Sequence, residues 1–500
     1  MTQRYKTIGL AAAGLALIAL IAALVFPNRQ LDTNNPQAGL PNAIMRSVGH
    51  GPYVHWREMY RGRAFTPIWL AGDVPSEDAR SVMALLSQAG DEGLAISRYA
   101  FSAAPPKGAG DHALVTFEMS LTRAALAYAH DMQFGMLKSA GLFEDVDLPV
   151  RRDDTLSNFT QAAAESSVAD YLKSLEPQGM YQGLKAALRK YRGFAAHPWA
   201  NVRSDDKAAL AARLAAEGYI DSGAVAGIRA AALGEALKAY QTANGLDADG
   251  KLDRKTLGML NISPAERVQQ IVANMERWRW LPRELGRRYV MVNVPGASLA
   301  LFENGVPNIT SRVVVGAPDK PTPILATQVV AITINPIWHV PKSIVKNEIE
   351  PKLEKDPAYL DNKGMERTDN GDVIQPPGPQ NALGTVKFEM PNEFDVYLHD
   401  TPAKQGFLSD DRALSHGCVR VERIAELAQQ LSELSEGDLK QLIASGETRR
   451  QPIRPPVPIY ILYWTAIPDG NRMGFRPDIY ERDVRMSAAF AKSVELASIK

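Results

Sequence analysis

Cys418 is the only cysteine among 500 residues, and it lies in the run Ser415-His416-Gly417-Cys418-Val419-Arg420-Val421. A second stretch, Tyr397-Leu398-His399-Asp400-Thr401, carries another histidine nearby in sequence. A thiol is a weak nucleophile until it becomes thiolate, so it needs a base or a positive charge beside it. Both histidines are candidates for that base. His416 lies two residues before the thiol and, if the segment is extended, emerges on the same face. His399 would have to arrive from a neighbouring strand or loop. Gly417 removes a side chain beside the nucleophile, so a substrate carbonyl can approach backbone N–H groups able to form an oxyanion hole. Arg420 adds a cation suited to a substrate carboxylate or to an internal acidic partner. The chemistry these types point to is acyl transfer through a cysteine.

The elements that must position these residues are β-strands. From about residue 288, YVMVNVPGASLALFENG, PNITSRVVVGAP, LATQVVAITINP and PVPIYILYWTAIP alternate or run with β-branched residues between Gly and Pro turns,. The spacing predicts a β-rich domain over 288–466. Between about 337 and 383 the strand pattern gives way to a helix-like KSIVKNEIEPKLEKDPAYL and a Gly/Pro-rich loop, an insertion long enough to act as a lid,. Upstream, 51–203 repeats apolar residues every three or four positions and predicts a helical scaffold, 204–262 a small helical unit, and 263–287 a connecting helix,. Residues 467–500 form a C-terminal extension. The fold class is therefore α+β and multi-domain, as a chain of this length requires.

The N-terminus bears on the compartment. After a charged tip (1–7), residues 8–26 belong to an uncharged apolar stretch, Thr7 to Phe26, long enough to cross a hydrocarbon core of roughly 30 Å,. The bulky Leu24, Val25 and Phe26 running into Pro27 favour an uncleaved anchor over a signal peptide. Residues 27–50, rich in Asn, Pro, Gly and Gln, read as a linker. Basic residues at the start place the tip in the cytoplasm and the mass outside, which in a bacterium means a single-pass inner-membrane protein with its catalytic part in the periplasm. A lone cysteine in an exported chain can make no internal disulfide, which strengthens the catalytic reading. Lys plus Arg and Asp plus Glu both number 56, so no net field draws the chain to nucleic acid,.

His399, then Ser415-His416-Gly417-Cys418 and Val419-Arg420, resembles the signature of the L,D-transpeptidase (YkuD-type) catalytic domain. Tyr240, Gln241, Gly245, Leu246, Asp249, Gly250, Thr256, Leu260 and Asn261 resemble the small three-helix peptidoglycan-binding domain. Together with YLHDTPAKQGF, DDRALSHGCVRVE and PPGPQNALG, the pattern is similar to the large membrane-anchored branch with scaffold, peptidoglycan-binding and capping units. The resemblance implies that Cys418 is the nucleophile and His399 the general base, with His416 shaping the loop and lending its backbone, with Gly417 and Cys418, to the oxyanion hole. Arg420, Ser415, Tyr397, Trp338 and Asn381 are candidate substrate-binding residues, Arg420 with a salt bridge and Ser415 with a turn as alternative roles. The implied reaction is 3-3 cross-linking of peptidoglycan from tetrapeptide donor stems through a thioester. The alternatives are an L,D-carboxypeptidase or wall-protein attachment enzyme using the same site, or a non-catalytic wall-binding anchor. The expected partners are stem peptides, glycan, the inner membrane and other cell-wall synthesis enzymes. No metal or organic cofactor is expected, and the other histidines show no zinc-like spacing.

Overall fold

The computed structural model describes residues 39–498, which fall into two compact units: 39–136 with 152–177 and the C-terminal stretch from 491, and 137–151 with 178–490. The apolar Thr7–Phe26 stretch lies outside the described residues. Among those described, no helix is long and apolar enough to cross a membrane.

In the first unit, helices Gly39–Ser47, Glu77–Ser87, Asp111–Phe134, Thr155–Ala164 and Val168–Ser174 surround a core that includes Ile44, Trp69, Phe117, Leu121, Phe159 and Leu172. The end of the expected linker is thus corrected: residues 39–47 are helical, with Ile44 and, just after the helix, Val48 fully buried. Its Pro and Gly sit in the first turn, where no intrahelical N–H is needed, so composition masked a spacing of four between Leu40, Ile44 and Val48. A small ladder, Leu70–Ala71 against Val74–Pro75, interrupts the expected all-helical scaffold.

The second unit holds the rest, and its helical part differs from expectation at both borders. Helix Met180–Ala196, read as scaffold, buries Tyr181, Leu184, Leu188 and Tyr191 in one core with Leu214, Leu237, Tyr240, Leu260 and Ile271 of the following helices. The supposed C-terminal extension begins as a hairpin, Ala466–Asp469 with Arg472–Phe475, whose Met473 and Phe475 enter that same core. Local patterning identifies each segment's type but not which core it joins. Gln241 of the small helical unit is 1% exposed and spans its turn, donating to the Lys251 carbonyl (2.9 Å) and accepting from Gly250 N–H (2.8 Å). Its motif residues hold the fold.

The β-domain is built from β1 (Val146–Asp147), β2 (Arg288–Asn293), β3 (Ser298–Glu303), β4 (Val306–Gly316), β5 (Ile324–Ile334), β6 (Val386–Glu389), β7 (Leu398–His399), β8 (Ala413–Ser415), β9 (Val419–Val421) and β10 (Arg449–Leu462). Hydrogen-bonded neighbours run β6-β7-β9-β4-β3-β2-β10-β5, and β5 pairs back onto β6, so the sheet closes on itself. Closure removes free edges. Inward residues Val290, Val292, Leu299, Leu301, Val313, Ile332, Phe388, Leu398 and Val419 fill the core, and helix Ile424–Ser432 adds Ile424, Leu427, Ala428 and Leu431 from one face,. β1, upstream of the scaffold's last helices in sequence, pairs in parallel with β5.

The insertion leaves after β5 and returns at β6. It has its own three-stranded sheet, in which Val373–Gln375 lies between Trp338–His339 and Glu366–Arg367. Its own small core contains Val340, Ile349 and Val373.

Candidate active site

β7 and β9 run parallel, with Leu398 opposite Val419 and His399 opposite Arg420. Leu398 and Val419 are both fully buried in the core. Alternation along a strand then sends Tyr397, His399, Cys418 and Arg420 to the opposite face together. On the other side of β7, Lys387 of β6 lies opposite His399 in the ladder. The closed sheet therefore gathers a thiol, an imidazole, a phenol and two cations on one surface. The Tyr397 and His399 rings stand edge to face at 5.6 Å, and Lys387 Nζ is 3.9 Å from the Tyr397 ring centroid.

Burial sets the protonation states. Burial pushes the Cys418 thiol up from its ordinary value, against the Tyr397 N–H and hydroxyl and the charges of Lys387 and Arg420, which favour the thiolate. Burial, aided by the Arg420 charge, pushes His399 down to about 3, and Asp400 only partly opposes it. His399 is 5% exposed, and its Nδ1 is buried without a hydrogen-bond partner. The resting pair is therefore neutral thiol and neutral imidazole at pH 7, with the imidazole able to accept a proton. Tyr397 is also pushed up by burial and by the sulfur, and its hydroxyl is shared between Cys418 and Trp338.

His416 does not join this group. Gly417 has φ of +109°, which breaks the extended path that would have kept His416 on the thiol's face,. The His416 Nε2 instead meets the Glu348 carboxylate of the insertion, which also pairs with Lys320 at 3.1 Å. Glu348 lies on a π-helical turn, Val345–Ile349. The Gly417 N–H, expected to serve an oxyanion hole, donates here to Ser415 Oγ at 3.2 Å. Ser415, 3% exposed, donates in turn to the Cys418 carbonyl, so it locks the turn around the nucleophile rather than facing substrate.

Asn381 is likewise not a pocket wall. It is 1% exposed and its Nδ2 serves the carbonyls of Pro336, Gln375 and Pro376, each at 2.9 Å, while Oδ1 accepts from Leu383 N–H at 2.8 Å. It ties the two ends of the insertion together. Trp338 does stand at the site through Tyr397, and Arg420 makes no ion pair with a carboxylate among the described residues, its charge acting on Cys418 and His399.

Several contributors had no local signal in sequence. Thr322 donates to the Gly417 carbonyl (2.7 Å) and accepts from Gly316 N–H (2.8 Å), while Tyr480 donates to the Gly316 carbonyl and accepts from Thr322 N–H. A Cβ on Gly316 would lie 2.2 Å from the Lys320 carbonyl, so the turn that brings Thr322 under the nucleophile needs glycine there. Lys387 is one of many strand lysines until the β6–β7 register places it.

The closed β-domain thus places a cysteine and a histidine on one face of adjoining strands. Residues 287–459 match the family model "L,D-transpeptidase catalytic domain" (YkuD), residues 55–188 the model "Scaffold domain", and residues 203–260 the model "Putative peptidoglycan binding domain". The chain therefore carries a YkuD-type L,D-transpeptidase catalytic domain together with a scaffold and a peptidoglycan-binding domain. A curated relative from Haemophilus influenzae, "Putative L,D-transpeptidase", is 32% identical over 245 residues, which is 44% of this chain and 50% of the relative. The chain thus spans half the length of that relative. Among solved structures, an L,D-transpeptidase (Yku) from Stackebrandtia nassauensis is 15% identical with a TM-score of 0.21, covering 52% of this chain and 91% of that one. One from Enterococcus faecium is 11% identical with a TM-score of 0.17, covering 37% and 52%.

Proposed function

We propose that this protein is a peptidoglycan L,D-transpeptidase that forms 3-3 cross-links through a thioester on Cys418. The observation that carries the reading is the common face of Cys418, His399 and Arg420 across β7 and β9, inside the span matched as an L,D-transpeptidase catalytic domain. The donor is a tetrapeptide stem. As sulfur attacks the carbonyl of its third residue, His399 takes the thiol proton, which fits an imidazole kept neutral by burial,. Since the Gly417 N–H is committed to Ser415, stabilisation of the oxyanion falls to the neighbouring Cys418 N–H. The imidazolium returns its proton to the leaving D-alanine amine, and the thioester remains. The side-chain amine of a second stem then displaces the sulfur to give the cross-link, and water in its place would make the same site a carboxypeptidase.

The chain is proposed to work from the inner membrane, held by residues 8–26 with the catalytic part in the periplasm, where stem peptides and glycan are its partners. The test is product analysis by mass spectrometry with purified tetrapeptide, with and without acceptor. A cross-linked dimer that disappears in Cys418→Ala is expected. Tripeptide alone, whatever the acceptor concentration, would favour the carboxypeptidase reading, and no turnover with retained glycan binding would favour an anchor.

A further inference from the structure

A carboxylate beside the thiol, Asp395, has no part in the steps above. Asp395 holds φ of +52°, a left-handed backbone that Asp and Asn tolerate better than other residues with side chains,. Its carbonyl oxygen is 3.9 Å from Cys418 Sγ. The turn is fixed by Asn392, whose Nδ2 donates to the carbonyls of Met390 (2.6 Å) and Val396 (2.8 Å) and whose Oδ1 accepts from Phe394 N–H (3.0 Å) and Val396 N–H (3.2 Å). Asp395 is therefore presented by a built turn rather than by a loose loop.

Several other carboxylates of the domain have partners. Glu389 pairs with Arg450, Glu348 with His416 and Lys320, and Asp400 with Lys404. Asp395 is exposed and makes no ion pair among the described residues, although Lys387 lies close enough to feel its charge. Near Cys418 there are thus two cations, Lys387 and Arg420, and in Asp395 a carboxylate that makes no ion pair among the described residues.

We propose that Asp395 determines acceptor specificity: its carboxylate receives the side-chain ammonium of the acceptor stem and holds that amine beside the Cys418 thioester. This rests on the transpeptidase reading above. A carboxylate on the approach raises the local concentration of a cationic amine and does nothing for water, so it favours transfer over hydrolysis. In the transfer step a C–N bond forms at the thioester carbonyl and the C–S bond breaks. The ammonium sheds two protons, one restoring the Cys418 thiol and one leaving through neutral His399 to solvent.

The experiment uses the full chain and Asp395→Asn, a change that keeps a residue tolerant of the left-handed turn and removes only the charge. Acceptor tetrapeptide is titrated at saturating donor, and acylation is followed separately with a carbapenem. The expected result is an acceptor KM raised about tenfold and a larger hydrolysed share of the thioester, with kcat at saturating acceptor and acylation both within about twofold of the parent. Normal acylation with an unchanged acceptor KM would overturn the inference alone, as would a parallel loss of acylation and transfer, which marks a structural role. A parent enzyme that never acylates would overturn the transpeptidase reading beneath it.

Discussion

His399 has a strand neighbour opposite it, a cation on each side and an unpartnered buried nitrogen, and those surroundings decide how the thiol can be activated. A preformed thiolate–imidazolium pair would need His399 charged, and burial opposes that,. The consequence for stability has a definite sign. Above pH 6.5 His399 is neutral folded or unfolded and contributes nothing. As pH falls below 6.5 the unfolded chain takes up a proton that the folded one refuses down to about 3. Stability should therefore fall by up to about 1.4 kcal/mol per pH unit across that window. Urea unfolding of the parent and His399→Asn between pH 6.5 and 4 checks this, and the variant should show the shallower loss. Equal slopes would mean that His399 titrates normally. If it is the general base, His399→Ala should also slow acylation at least about 10²-fold. The grouping of Cys418, His399 and Arg420 was legible at this scale because the motif names all three, and the strand register places them on one face. Asn381 was misassigned as a substrate contact, and Ser415 left open between substrate and turn, because a polar residue near a nucleophile looks the same in sequence whether it faces substrate or closes a turn.

At the scale of elements, the insertion was legible from its break in strand texture, while its anchoring was not. Asn381 closes its base, and Glu348 holds its helical part to His416 and Lys320. Asn381→Ala would strip three buried carbonyls of their donor, and a loss on the order of 3 kcal/mol in denaturant unfolding is expected. A loss below about 1 kcal/mol would mean that water replaces the amide. Glu348→Gln breaks an exposed cluster and should change stability little. If the insertion excludes water from the thioester, that substitution should nonetheless raise hydrolysis relative to transfer, and an unchanged ratio would argue against a lid held through His416. The His416 contact could not be foreseen, because it follows from the Gly417 backbone and from a π-turn whose sequence looks like ordinary helix.

For the whole molecule, each segment's type was readable from periodicity, but not the cores the segments join. The model matched over 287–459 ends inside β10, which continues to Leu462, and omits β1 and the hairpin whose Phe475 packs with Tyr191 and Tyr240. A fragment of 287–459 should therefore lose the sharp calorimetric melt of the full chain and its acylation by a carbapenem. A fragment that melts as sharply and reacts as fast would show those contacts to be dispensable. Such partnerships are nonlocal, and nothing in a run such as GNRMGF states which core its Phe will enter.

The central claim is that Cys418 carries the acyl group. Intact-protein mass spectrometry of the full chain with purified stem tetrapeptide tests it most directly. The account predicts an adduct equal to the tetrapeptide less D-alanine, mapped to Cys418 and absent in Cys418→Ala. Cross-linked product formed by Cys418→Ala, or an adduct on another residue, would contradict it.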